Sequence, residues 1–235
     1  MPAPSAVLAP ATHAEYLQRN VIPRSGFNSA NHHEVPRAIV LAGQPGAGKG
    51  KLNDAAKIDL GYDVVPIDPD DLRDIHPDVE RLRQQHPYTW AGHTHEDASQ
   101  WAKELRSAAI DGRRNLILDT TLGNGDSAVA LIKDLQAKGY DVEIRGVVAH
   151  RLESELGVDA RFADSLDSAG FGRYVPEDVR KHVYDALPDN LNKVQSETGI
   201  QIRLYGREGT QVYDSHSDAR LPGAALEAER GSRFR

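Results

Sequence analysis

The chain has 235 residues, 39% hydrophobic and 27% charged, which is the composition of a globular protein with its own core rather than of a disordered segment. A formal net charge of −7 argues against nucleic-acid binding by neutralisation of many phosphates, and the absence of cysteine excludes disulfides, thiolate catalysis and cysteine-ligated metals. No apolar run reaches membrane-spanning length, and residues 1–10 lack the basic start and long apolar centre of a signal peptide, so the expected location is cytoplasmic.

Residues 1–11, rich in Pro and Ala, are expected to be flexible, with a short helix over 13–21 and a polar loop over 23–36. Residues 38–42 have the length and branched apolar content of a buried strand, and a helix is expected over 49–60. Further strands are expected over 62–67, 116–118, 142–149 and 200–205, with a short one over 211–213. Between them, Ala98, Trp101, Leu105 and Ala108 form one apolar stripe of a helix over 95–112, and Ala128, Leu131, Ile132 and Leu135 form another ahead of Gly139. A helix beginning near Arg151 carries the stripe Leu152, Leu156, Ala160, Ala163 and Leu166.

Strands separated by helix-length segments predict an α/β fold, a parallel sheet with helices on both faces. The expected organisation is an N-terminal extension over 1–35, a nucleotide-binding domain over 36–214 and a flexible polar tail over 215–235. Ligands in such folds collect beyond the carboxyl ends of the strands, which selects the loops at 43–49, 68–71 and 119–124.

The first of these loops reads Gly43, Gln44, Pro45, Gly46, Ala47, Gly48, Lys49, and runs on into Gly50 and Lys51. Glycines at this spacing let backbone N–H groups converge on one point, the following helix adds its positive end, and Lys49 can reach β- and γ-phosphate oxygens. That is a cradle for the phosphates of ATP or GTP. A turn whose glycines served only packing would leave Lys49 unexplained. Gly50 stands where a Ser or Thr hydroxyl would bind Mg2+.

The second loop offers Asp68, Asp70 and Asp71. Either Asp68 or Asp70 could act as the base for an alcohol or as a Mg2+ ligand, and an Asp at this point also caps a helix. In the third, Asp119 could hold a Mg2+-bound water, or cap the next helix, and the hydroxyls of Thr120 and Thr121 lie beside it. With Gly50 unable to ligate, one of these groups would take over, directly or through water. His86, His93 and His95 lack the partners and spacing of a metal site, and the loop at 87–95 is expected to border an acceptor pocket.

The motifs at residues 43–49, 67–73 and 115–121, continuing through 138–140, Arg161, 172–176, 187–191 and 203–209, resemble the zeta toxin family of toxin–antitoxin kinases over roughly residues 36–214. The resemblance implies a P-loop kinase with a helical lid region that phosphorylates the 3′-hydroxyl of the sugar in UDP-N-acetylglucosamine. A small helical antitoxin would block its nucleotide site. It implies that Lys49 contacts the ATP phosphates, that Asp70 is the base, and that Arg161 and Arg173 clamp the transferring phosphoryl group. Arg173 lies in a glycine-hinged segment able to close as a lid. Three features depart from the family pattern: Gly50 for a hydroxyl residue, Asp119 for Glu, and Gly123 and Asn124 where an Arg is common. Two other readings stay open, a kinase acting on another nucleotide such as NAD, and a nucleotide-binding regulator without catalysis.

Overall fold

The computed structural model describes residues 6–232. Its centre is one six-stranded sheet in the order β2-β3-β1-β4-β5-β6. The strands β1 (Arg37–Ala42), β2 (Val65–Ile67), β3 (Leu116–Asp119), β4 (Asp141–Val148) and β5 (Gln201–Gly206) run parallel. The edge strand β6 (Gln211–Asp214) returns antiparallel to β5.

The helices are α1 (Pro10–Tyr16), α2 (Ile22–Arg24), α3 (Gly50–Asp59), α4 (Pro69–Leu72), α5 (Val79–Gln85) and α6 (Trp90–His93). They continue with α7 (His95–Asp111), α8 (Gly125–Ala137), α9 (Arg151–Ala169), α10 (Glu177–Thr198) and α11 (Pro222–Ser232). Alternation along β1 splits the interior into two layers. Ala38, Val40 and Ala42 face a large core with Trp101 and Leu105 of α7, Ile132 and Leu135 of α8, and Leu187 and Leu191 of α10. Ile39 and Leu41 face the other side, where Leu52 and Ala56 of α3 cover them. The α/β expectation, a mostly parallel sheet between helices, therefore holds.

The elements depart from the sequence reading at several places. The second strand starts only at Val65, because Tyr62 adopts a left-handed turn (φ 60°) and residues 60–63 wrap around the end of α3. The first helix begins earlier, at Pro10, and continues through a π-helical turn, Leu17–Val21. Of the stretch expected to be flexible, residues 1–5 lie outside the described residues, and Leu8 donates its N–H to Asp97 at 3.0 Å. Val21 and Ala30 belong to the large core, so the N-terminal extension packs with the sheet domain.

Two larger corrections concern the C-terminal half. The stripe expected to bury α9 lies outward: Leu152 and Leu156 are 53% and 69% exposed, while Ser154 and Val158 are buried. The reason is that α9 packs on the glycine loop rather than on the sheet. The polar tail also folds as far as residue 232, for α11 buries Ala225, Leu226 and Arg230, and residues 233–235 lie outside the described residues. Among the described residues, no helix is long and apolar enough to cross a membrane.

Candidate active site

At the carboxyl edge of the sheet a cavity of about 810 Å3 opens between the loops that follow β1, β2 and β3. The loop after β1 forms its floor, from Gln44 through Gly50. Gly46 (φ +78°) is required there, since a Cβ would stand 2.1 Å from the Ser154 carbonyl oxygen, and a Cβ on Gly157 of α9 would stand 2.7 Å from the Gly46 carbonyl oxygen. This backbone contact seats α9 on the loop.

Lys49 folds back over the loop, with its Nζ 3.1 Å from the Gly43 carbonyl oxygen and 3.3 Å from Asp119 Oδ1. The parallel register of Leu41 with Asp119 puts that carboxylate beside the loop. Gly43 thus contributes a carbonyl and does not line the cavity. Lys51 is exposed on α3 and also lies outside the lining, so its expected phosphate contact is not supported by its position.

Asp68 follows β2 and caps α4 by accepting the Asp70 N–H at 2.8 Å, with Pro69 as the first helical residue. The turn that follows points Asp70 into the cavity between two guanidinium groups. Arg73 donates from Nε to Asp70 Oδ1 at 3.1 Å, and Arg173 pairs with Oδ2. Arg73 is itself buried, donates to the Ala91 carbonyl and lies 2.9 Å from His95 Nδ1. Because a guanidinium only donates, His95 Nδ1 accepts, which fixes the neutral Nε2–H tautomer. Burial, aided by the Arg73 charge, holds the His95 pKa below its usual value, in agreement with that tautomer.

Asp119, Thr120, Thr121, Arg161 and Arg173 line the same cavity, so the residues expected at the site converge there apart from Gly43 and Lys51. Thr120 donates its hydroxyl to the Leu41 carbonyl at 2.8 Å, which ties the third loop to β1. The arrangement also draws in residues that the sequence reading gave no role: Asn53, Arg73, Ser99 and Arg207. Arg207 stands just past β5 and donates to the Glu153 carbonyl at 2.8 Å. The strand-end rule, extended to the fifth strand, would have found it.

Lys49, Arg73, Arg161, Arg173 and Arg207 here face Asp68, Asp70, Asp71 and Asp119, so an acidic chain presents a cleft able to take phosphates. Burial raises the pKa of Asp68 and Asp119 despite the opposing charge of Lys49. Burial lowers that of Arg173, against the pull of Asp68. Among the described residues no cluster of three or more His, Cys, Asp or Glu could hold a metal alone. Mg2+ is commonly held by one or two carboxylates together with substrate phosphates and water. Asp119 and Asp68 supply such carboxylates, and the Oδ1 of Asn53, one turn along α3 from Gly50, is buried without a hydrogen-bond partner. The donor set fits the ion.

A family model described as Zeta toxin matches residues 25–218, and the chain belongs to that family. It is 30% identical to Toxin zeta of Streptococcus pyogenes over 200 residues, 83% of this chain and 69% of that protein. It is 28% identical to Toxin PezT of Streptococcus pneumoniae serotype 4 over 202 residues, 85% of this chain and 79% of that one. A solved structure from the PezAT chromosomal toxin–antitoxin system of Streptococcus pneumoniae shares the fold with a TM-score of 0.81, at 24% identity, over 94% of this chain and 87% of that chain.

Proposed function

We propose that this chain is an ATP-dependent kinase that phosphorylates a sugar hydroxyl of a nucleotide sugar, with the 3′-hydroxyl of UDP-N-acetylglucosamine as the acceptor. The observation that carries the proposal is that Lys49 and Asp70 line one cavity, with Arg161 and Arg173 beside them. A nucleotide-binding module without catalysis has no use for a carboxylate held by two arginines next to the phosphate loop.

In the proposed reaction the loop N–H groups and Lys49 hold the β- and γ-phosphates. Asp70 takes the proton of the acceptor hydroxyl, whose oxygen bonds to the γ-phosphorus as the bond to the β,γ-bridging oxygen breaks and ADP leaves. Arg161 and Arg173 balance the charge on the transferring group. Mg2+, when bound, would neutralise phosphate charge; Asp119 and Asp68 would hold it, and Thr120, Thr121 and His95 would contact the acceptor.

A second cavity, about 610 Å3, shares Thr120 and Thr121 with the first and is walled in part by Lys103 and Arg106, with Asp134 the one acid among the described residues of its lining. It gives an acceptor with an anionic extension room beyond the transfer point, which supports a nucleotide sugar over a small alcohol. Membership of the zeta toxin family supports toxin activity, and the likeness to a toxin–antitoxin structure supports a small antitoxin that covers the nucleotide site. The test is incubation with Mg2+ and ATP plus either UDP-N-acetylglucosamine or NAD, read by mass spectrometry. A gain of one phosphate by the nucleotide sugar alone is expected. A gain by NAD alone would reassign the acceptor, and no transfer to any acceptor in a metabolite extract would overturn the kinase reading.

A further inference from the structure

Gln44, which lies between the first two glycines of the loop, Gly43 and Gly46, is buried and fully engaged. Its Nε2 donates to the Ala149 carbonyl at 2.9 Å and to Ser154 Oγ at 2.8 Å. Ser154 passes its own hydroxyl proton to the His150 carbonyl at 3.1 Å, so its oxygen is free to accept. What remains is the Gln44 Oε1, which needs a donor. It receives one from Arg230, whose Nη2 lies 3.3 Å away although the residues are 186 positions apart.

Arg230 belongs to α11 and is 2% exposed. Its guanidinium is held by three further contacts. Nη1 donates to the Tyr184 carbonyl at 3.1 Å and to Glu227 at 2.6 Å, and the group stacks 3.7 Å above the Tyr184 ring. The Tyr184 carbonyl needs that donor, because Pro188, four residues on in α10, has no N–H to offer it. One arginine therefore satisfies a carbonyl orphaned by a proline and, with its other nitrogen, the amide oxygen that anchors the phosphate loop. The helix carrying it lies wholly beyond residue 218, where the family match ends.

We propose that Arg230 is a positioning residue for nucleotide binding, through which the C-terminal helix holds Gln44 and with it the backbone donors of the phosphate loop. The inference rests on the nucleotide reading of that loop. Without Arg230 the Gln44 Oε1 is buried and unpaired, a penalty that the loop can relieve only by moving.

The test is the dissociation constant for Mg2+-ATP, measured by calorimetry on the full chain, well below the unfolding temperature. Arg230→Ala is expected to weaken binding about tenfold. Arg230→Met keeps the stem on Tyr184 but cannot donate, and is expected to do the same even where the alanine variant does not fold. Leu226→Ala, which removes apolar burial from α11 but keeps the Arg230 guanidinium and its partners, is expected to lower Tm and leave the affinity unchanged. In a Gln44→Leu background, adding Arg230→Met should change affinity less than about twofold, since the acceptor it served is gone. A fall in Tm with unchanged affinity in Arg230→Met would overturn the inference alone. Failure of the unaltered chain to bind ATP would overturn the kinase reading as well.

Discussion

Asp70 and Arg173 are ion-paired across the cleft although 103 residues separate them in the chain. The pair occupies the two groups that the proposed reaction needs apart, the base facing the acceptor and the arginine facing the phosphoryl group. Arrival of a γ-phosphate gives Arg173 a second anion to bind, which frees one Asp70 oxygen while Arg73 still holds the other.

Arg173→Lys should therefore lower the phosphoryl-transfer rate about a hundredfold at saturating ATP, because an ammonium cannot span carboxylate and phosphate as a planar fork does. Single-turnover kinetics check this. A rate within a few-fold of the unaltered chain would show that Arg173 does not act on the transferring group.

Gly50 offers the opposite kind of test, a gain. Beyond its chain neighbours and the backbone of its own helix, no atom lies within 4 Å of the position where its Cβ would be, so Gly50→Ser fits without rearrangement. The added hydroxyl should reduce the Mg2+ concentration needed for half-maximal activity by roughly threefold or more, with Tm changed by no more than about 2 °C. An unchanged Mg2+ requirement would mean that the ion is held away from the start of α3.

Much of this site could be read from the sequence because its key signals are local. The strand, the glycines and Lys49 are contiguous, and Asp68 and Asp119 announce themselves as acids at the ends of apolar runs. What the sequence hid depends on contacts between distant segments. Arg73 sits inside a recognised motif, yet its partners Asp70 and His95 only show its place once α7 lies beside α4. The outward stripe of α9 misled for a related reason, since that helix packs on backbone through Gly157, and a glycine contact leaves no hydrophobic pattern. The helix α11 was missed because its buried side chains are mostly small and its decisive residue, Arg230, is charged.

The approach of α9 to the loop can be tested directly. A Cβ on Gly157 would stand 2.7 Å from the Gly46 carbonyl oxygen. Gly157→Ala should cost about 1–3 kcal/mol of stability, lowering Tm by about 2–10 °C, and weaken ATP binding in the folded protein. Thermal melts with and without ATP separate the two effects; an unchanged Tm would show that the contact is not tight.

Stability should also depend on the charge of Asp68. Burial raises its pKa above 3.8 in the folded protein, so folding is helped by its protonated form and that help is lost as pH rises through the folded pKa. Asp68→Asn keeps a capping oxygen and removes the buried charge. The variant should match the unaltered chain at acid pH, where both side chains are neutral, and melt higher at pH 8. A lower Tm at pH 8 would show that the surrounding cations outweigh the cost of burial.

The most direct measurement compares the unaltered chain with Asp70→Asn in a single turnover of ATP and UDP-N-acetylglucosamine, with Tm and ATP affinity measured alongside. Loss of the base should reduce formation of the phosphorylated sugar by about a hundredfold or more while the variant stays folded and still binds ATP. Product formed at an undiminished rate by folded Asp70→Asn would contradict the assignment of this cleft as the place where the hydroxyl is activated.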